Sequence, residues 1–119
     1  MRLMKPILYG IANCDTVRKA RAWLEAREVS CTFHDYKKLG VDATTLNRWI
    51  DAVGWEPLIN RAGTTFRKLP RISTVHIDRI QAVELMMTQP SLIKRPIVEA
   101  AQLVLVGFKP ADWAAMLPA

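Results

Sequence analysis

Residues 6–36, PILYGIANCDTVRKARAWLEAREVSCTFHDY, carry a strand–helix–strand pattern near the start of the sequence. The apolar run at 6–11 predicts a buried strand, and residues 31–36 predict a second strand. Between these strands lies a helical pattern whose apolar side chains fall on one face: Val17, Ala20 and Leu24. Because a single helix connects the two strands, the pattern predicts a βαβ unit in which the strands run parallel.

The middle of the chain predicts two longer helices. The first follows Asp42, a suitable N-cap residue, and ends at Gly54. Its apolar residues are Leu46, Trp49, Ile50 and Val53. The second begins near Asp78 and is ended by Pro90. The residues expected on its buried stripe are Ile80, Val83 and Met87.

The end of the chain predicts two short strands and a last helix. Residues 96–107, PIVEAAQLVLVG, indicate a hairpin with a tight turn near Ala101 and Gln102. The last helix has Pro110 in its first turn. Its expected buried residues are Trp113, Met116 and Leu117. The whole order predicts an α/β fold, in which a helical stretch separates the two halves of a small mixed sheet.

Composition limits the class of protein. A length of 119 residues suits one domain. Because the sequence shows neither a membrane-length apolar run nor a signal-peptide pattern, we expect a cytoplasmic protein without a membrane partner. The net charge is +6, but Lys and Arg are dispersed along the chain. This dispersion favours a solvated basic surface or an anionic small substrate over nucleic acid, which stays the weaker alternative.

The two cysteines form neither a disulfide framework nor a zinc-binding spacing. Cys14 stands where a helix begins, and unpaired backbone N–H groups and the helix dipole favour a thiolate there. Thr16 adds a hydroxyl donor and Arg18 a nearby charge. The alternative for Cys14 is a buried, inert thiol. Cys31 lies in a predicted strand and is expected to be a core residue.

Two arginines lie in segments where an anion site is plausible. Arg61 belongs to the irregular stretch 57–70, and Arg95 precedes Pro96 at the start of a predicted strand. The planar guanidinium donates two hydrogen bonds to an oxyanion at once. The alternative for each arginine is a surface ion pair, so neither is assigned on its position alone.

Five stretches together carry a resemblance to a known family. They are YGIANCDTVRKARAWL (9–24), FHDYKKLGV (33–41), NRAGTTFRKL (60–69), ELMMTQPSLIKRPIVE (84–99) and LVGFKPADW (105–113). With these motifs the chain resembles the arsenate reductase (ArsC)-like family, specifically its YffB branch, which is related to the Spx transcription regulators. The resemblance covers nearly the whole chain.

The resemblance implies a fold, a site and a chemistry. The fold is thioredoxin-like, a single domain over 1–119 with a helical insertion at about 39–94. Cys14 matches the catalytic nucleophile, and Pro96 matches the proline that is cis in this fold. Arg61 and Arg95 match two arginines that bind the substrate oxyanion; Lys109, at the position of a third, and Thr16, with its hydroxyl beside Cys14, complete the expected set. No bound cofactor and no metal are implied; glutathione is the expected co-substrate, with glutaredoxin as a partner.

The chain also departs from its relatives at three positions. Lys109 stands where the arsenate reductases have a third arginine, and Gly10 stands where they have a histidine. Val17 stands at the second cysteine of the Spx Cys-x-x-Cys motif, so a disulfide switch within that motif is excluded. Two hypotheses follow: a glutathione-dependent thiol reductase with an anionic or thiol substrate, or a regulator that binds RNA polymerase.

Overall fold

Four strands form one mixed sheet in the order β2-β1-β3-β4. The computed structural model describes residues 5–117. Its strands are β1 (Ile7–Gly10), β2 (Thr32–Asp35), β3 (Ile97–Ala100) and β4 (Leu103–Val106). Its α-helices are α1 (Asp15–Ala26), α2 (Tyr36–Leu39), α3 (Ala43–Val53), α4 (Thr64–Arg67), α5 (Arg71–Thr74), α6 (Arg79–Thr88) and α7 (Pro110–Met116). The α/β fold predicted from the sequence is confirmed.

The chain divides into two units. Within the described residues, the first unit comprises 5–39 with 95–117 and contains the four strands, α1, α2 and α7; we call it the sheet unit. The second unit, Gly40–Lys94, contains only helices among its regular elements and is called the helical unit. No helix in the described part of the chain is both long and apolar enough to cross a membrane.

The strand–helix–strand prediction is confirmed, and each of the two strands is one residue shorter at either end than predicted. β1 and β2 are parallel, with Leu8 opposite Phe33, and α1 connects them. β2 ends at Asp35, because the Asp35 carboxylate accepts hydrogen bonds from the backbone N–H groups of Lys37 and Lys38 and so caps a turn. Tyr36, expected as a strand residue, therefore begins α2.

The core of the sheet unit lies between one face of the sheet and the helices α1 and α7. Its buried residues are Leu8, Val17, Ala20, Leu24, Val98, Leu105, Trp113 and Leu117. The indole N–H of Trp113 donates to the carbonyl oxygen of Gly107 at 3.1 Å. The expectation for Met116 was wrong, because its side chain is 56% exposed. Trp113 and Leu117 are four residues apart and cover the core instead.

The helical unit packs α3 against α6. Asp42 caps α3 by accepting from the backbone N–H of Thr45 at 2.8 Å. The predicted stripe on α6 was wrong: Ile80 is 79% exposed, and the buried residues of α6 are Ala82 and Met86. The bonds of Arg79 help to fix which face of α6 is buried, because its guanidinium donates to Asp51 and Asn47 on α3.

Candidate active site

Three chain segments meet at one edge of the sheet. Gly10, at the end of β1, pairs with Asp35 at the end of β2, and Tyr9 pairs with Ile97 at the start of the antiparallel β3. The residues that follow β1 and β2 therefore lie at the same edge as those that precede β3. They include Cys14, Tyr36 and Arg95. The Arg95–Pro96 peptide bond is cis.

Cys14 is the N-cap residue of α1. Its backbone is extended, with φ −142° and ψ 124°, and its carbonyl oxygen accepts from the backbone N–H of Arg18 at 2.9 Å. The backbone N–H groups of Thr16 and Val17 face the sulfur, although neither meets the geometry of a short capping hydrogen bond. Such N–H groups lack intrahelical partners and favour a negative charge.

The pKa of the Cys14 thiol is lowered from its ordinary value. Burial raises this pKa and is the largest individual effect. The N–H of Val17, the hydrogen bond and charge of Arg95, and the N–H of Thr16 together outweigh burial. The sulfur is half-buried rather than enclosed. A thiolate that is both stabilised and reachable is the reactive form of a cysteine.

Arg95 links the sulfur to a buried tyrosine. Its guanidinium donates hydrogen bonds to the Cys14 sulfur and to the hydroxyl oxygen of Tyr36. Burial alone would lower the pKa of Arg95, but Tyr36 and Cys14 outweigh burial and raise that pKa. The guanidinium therefore keeps its positive charge beside the sulfur.

Tyr36 is the site residue that sequence reasoning missed. Its side chain is fully buried, at 0% exposure. Burial raises the pKa of Tyr36 to about 12, and Arg95 only partly opposes this rise. The phenol is thus neutral at physiological pH. The sequence did contain one signal, because a tyrosine directly after β2 lies at the edge of the parallel pair where Cys14 follows β1.

The other predicted anion ligands of the sheet unit are exposed. Thr16 lies in the first turn of α1, and its backbone N–H is its contribution to the sulfur. Lys109 is the N-cap residue of α7. Arg18 donates to Asp15 and to Asn13. The anion-binding roles of Thr16 and Lys109 stay predictions.

Arg61 belongs to the helical unit. It is exposed, and its guanidinium lies 5.9 Å from the centre of the Phe66 ring. Its role as an anion ligand stays a prediction. Among residues 5–117, no group of three or more His, Cys, Asp or Glu side chains is arranged to hold a metal ion.

Cys31 differs from Cys14 in the direction in which its surroundings shift the thiol pKa. It lies one residue before β2 rather than within it, and it is half-buried against the core of the sheet unit. Burial raises the pKa of the Cys31 thiol, and the nearby charges of Arg21 and Lys5 only partly oppose this. Cys31 is therefore a weak nucleophile at neutral pH and a suitable control for Cys14.

Residues 9–116 match the model of the ArsC family. The chain belongs to the ArsC family. It is similar to the solved structure of the YFFB protein, with 50% identity, a TM-score of 0.91, and coverage of 95% of this chain and 99% of that one. It is also similar to an arsenate reductase (ArsC) related protein from Brucella melitensis, with 52% identity, a TM-score of 0.76, and coverage of 98% and 97%.

A further relative is a global transcriptional regulator Spx of Streptococcus agalactiae. It is 30% identical over 113 residues, which cover 93% of this chain and 82% of that protein. The ArsC family is a thiol reductase-like family of the oxidoreductase type. Spx regulators are also among the relatives of this chain.

Gly10 and Val17, two of the positions at which the chain departs from its relatives, lie against each other. A Cβ atom placed on Gly10 would lie 2.8 Å from Cγ2 and 3.2 Å from Cγ1 of Val17. Val17 is fully buried, and its β-branched side chain is stiff. The histidine expected at position 10 of an arsenate reductase therefore has no room here. The pKa of Cys14 is lowered by the N–H groups of α1 and by Arg95 without such a histidine.

Proposed function

We propose that the protein is a glutathione-dependent thiol reductase in which Cys14 is the sole nucleophile. One observation carries this proposal: the Cys14 sulfur lies at the N-terminus of α1 beside Arg95, and its pKa is lowered there. A thiolate with an adjacent fixed cation is the arrangement of an activated cysteine nucleophile.

The first step is attack by the Cys14 thiolate on an oxidised substrate. With a disulfide, a bond forms between Cys14 and one substrate sulfur, and the other sulfur leaves as a thiolate that takes a proton. With arsenate, a sulfur–arsenic bond forms while the bond from arsenic to a hydroxyl oxygen breaks, and that hydroxyl takes one proton from solvent and leaves as water. The Arg95 guanidinium would bind an anionic oxygen of the substrate during this attack.

The second step needs a thiol from outside the chain. Val17 occupies the position of a resolving cysteine, and the raised pKa of Cys31 makes it a poor alternative. Glutathione supplies the electrons in this proposal, either directly or through glutaredoxin. With a disulfide substrate, one glutathione displaces the second substrate thiol from Cys14, and another glutathione then attacks the resulting Cys14–glutathione disulfide and frees Cys14. With arsenate, two glutathiones supply the two electrons that reduce arsenic(V) to arsenic(III). Glutathione disulfide is the oxidised product in both cases.

The glutathione carboxylates and the substrate oxyanion are negatively charged, so cationic side chains are needed to bind them. Lys109 and Arg61 are the further cations that the family resemblance suggests, with Thr16 as a hydroxyl donor. Lysine carries the charge but not the planar fork of arginine, so Lys109 supports anion binding in general better than the bidentate binding of arsenate.

Turnover by two single-cysteine variants tests the proposal. We expect Cys14→Ser to lose glutathione-dependent reduction of a small disulfide or of arsenate by about a thousandfold or more, because the nucleophile is removed. Cys31→Ser is the matched control and keeps wild-type turnover. Full activity of Cys14→Ser would reject the proposal, and absence of turnover in the wild type with every oxidised substrate tried would reject it as well.

The Spx relative supports a second candidate function, binding to RNA polymerase. Spx of Streptococcus agalactiae matches over most of its own length. Val17 removes the Cys-x-x-Cys motif, so such binding would not be switched by a disulfide in that motif. Pull-down of purified polymerase by the wild type and by Cys14→Ser separates the two functions: equal binding by both supports the regulator, and no binding by either excludes it.

A further inference from the structure

Tyr36 is fixed in place by three features of the sheet unit. Its side chain has 0% exposure. The preceding residue, Asp35, pairs with Gly10 in the parallel ladder and caps α2 through the N–H groups of Lys37 and Lys38. Helix α2 packs against both β1 and β2. The phenol ring is therefore part of the rigid framework, and its hydroxyl has a defined position.

Arg95, by contrast, carries a long side chain that is flexible unless it is held. An arginine loses much rotamer freedom when its guanidinium is confined to one place. The Arg95 guanidinium contacts the Tyr36 hydroxyl as well as the Cys14 sulfur. Its planar fork of N–H groups can serve two partners in different directions at once.

We propose that Tyr36 is a positioning residue, whose buried hydroxyl holds the Arg95 guanidinium beside the Cys14 sulfur. The importance of Tyr36 for catalysis rests on the proposed function. Its effect on the position of Arg95, and so on the Cys14 thiolate, does not depend on the substrate. Tyr36 does not touch the reacting atoms in this account. It acts through Arg95, by reducing the set of orientations that the guanidinium can take.

A neutral anchor suits this role better than a charged one. Burial keeps the pKa of Tyr36 at about 12, so its hydroxyl remains protonated at physiological pH. A carboxylate in the same place would neutralise Arg95 and compete with the thiolate for its charge. A phenol accepts a hydrogen bond from Arg95 and leaves the positive charge available to Cys14 and to an anionic substrate.

The test is the reactivity of Cys14 in Tyr36→Phe, which removes only the hydroxyl. At a pH below the thiol pKa, we expect the rate constant for alkylation by iodoacetamide to fall roughly three- to tenfold. This range corresponds to partial loss of one charge-assisted hydrogen bond to the thiolate. The matched control is Tyr9→Phe, which removes another buried phenol hydroxyl, bonded to Glu99 at 3.1 Å. The control should keep the wild-type rate.

A double-mutant cycle separates positioning from a general structural effect. In the Arg95→Ala background, Tyr36→Phe should leave the alkylation rate unchanged, because the group that Tyr36 positions is already absent. Arg95→Lys is a second test that keeps the Tyr36 hydroxyl. It should also react more slowly than the wild type, since lysine keeps the charge but has no fork to bond both partners.

Three results would overturn the inference. They are a wild-type alkylation rate in Tyr36→Phe, equal effects of Tyr36→Phe with and without Arg95, and a wild-type rate in Arg95→Lys. Ultraviolet titration of the Cys14 thiolate measures its pKa directly, without alkylation, and should show a higher pKa in Tyr36→Phe than in the wild type. Because these readouts require no turnover, they remain decisive even where Cys14→Ser shows that the proposed reductase activity is wrong.

Discussion

At the scale of single residues, the reactivity of Cys14 depends on a balance between burial and donors. Burial alone would make the thiol less acidic. The N–H groups at the start of α1 and the Arg95 guanidinium reverse that effect. The helix start was visible in the sequence, and so was Arg95 as a candidate. For Tyr36 the sequence offered only its position after β2, because its burial and its contact with Arg95 depend on residues distant in the chain.

The pH dependence of Cys14 alkylation should move when Arg95 is removed. Only the thiolate reacts, so the lowered pKa extends alkylation toward lower pH. In Arg95→Ala, burial is opposed only by the N–H groups, and the pKa should rise. The acid limb of the rate profile then shifts to higher pH.

Arg18→Ala is the control for the loss of an arginine near the same helix start. Arg18 is bonded to Asp15 and Asn13, and its removal should leave the profile unchanged. An acid limb that moves in Arg18→Ala but not in Arg95→Ala would contradict the assignment of Arg95 as the cation that stabilises the thiolate.

At the scale of elements, the start of α1 is packed against the end of β1 through Gly10 and Val17. The contact leaves no space for a side chain at position 10. Gly10→Ala should therefore lower the free energy of unfolding by about 1–3 kcal/mol, the usual cost of overpacking. Urea unfolding measures the effect.

The same contact predicts a non-additive pair of substitutions. Val17→Ala alone loses buried volume and is destabilising, but it also makes room beside Gly10. The double variant should be more stable than the sum of the two single effects predicts, by about 1 kcal/mol. Strict additivity would show that the close approach of Gly10 to Val17 does not limit position 10.

Helix faces show which elements the sequence could define. The buried face of α1 was predicted correctly because Val17, Ala20 and Leu24 are its buried residues. The buried face of α6 was not, because both possible faces carry apolar side chains. The bonds of Arg79 to α3 select the face that is buried, which carries Ala82 and Met86. These bonds cannot be inferred from periodicity alone.

At the scale of the whole molecule, the α/β order and the parallel βαβ unit were predictable, since both follow from local patterns along the chain. The candidate site was predictable in part. Cys14 and Arg95 lie together at the sheet edge, whereas Arg61 is a residue of the helical unit. Its assignment depends on the family resemblance and on measurement.

The role that the resemblance assigns to Arg61 predicts a specific kinetic change. Arg61→Ala should raise KM for an anionic substrate by about tenfold, the usual order for loss of one charge-assisted hydrogen bond. The Cys14 alkylation rate should stay at the wild-type value, because Arg61 is not among the groups that lower the pKa of Cys14. Arg67→Ala, in the same unit, is the control. An unchanged KM in Arg61→Ala would remove Arg61 from the site.

The central claim is that Cys14 is the nucleophile and that an external thiol regenerates it. Peptide mapping by mass spectrometry after incubation with a small symmetric disulfide tests this claim most directly. The account predicts a mixed disulfide on Cys14 and not on Cys31, which disappears when reduced glutathione is added. An adduct confined to Cys31, or an adduct on Cys14 that glutathione does not remove, would contradict it.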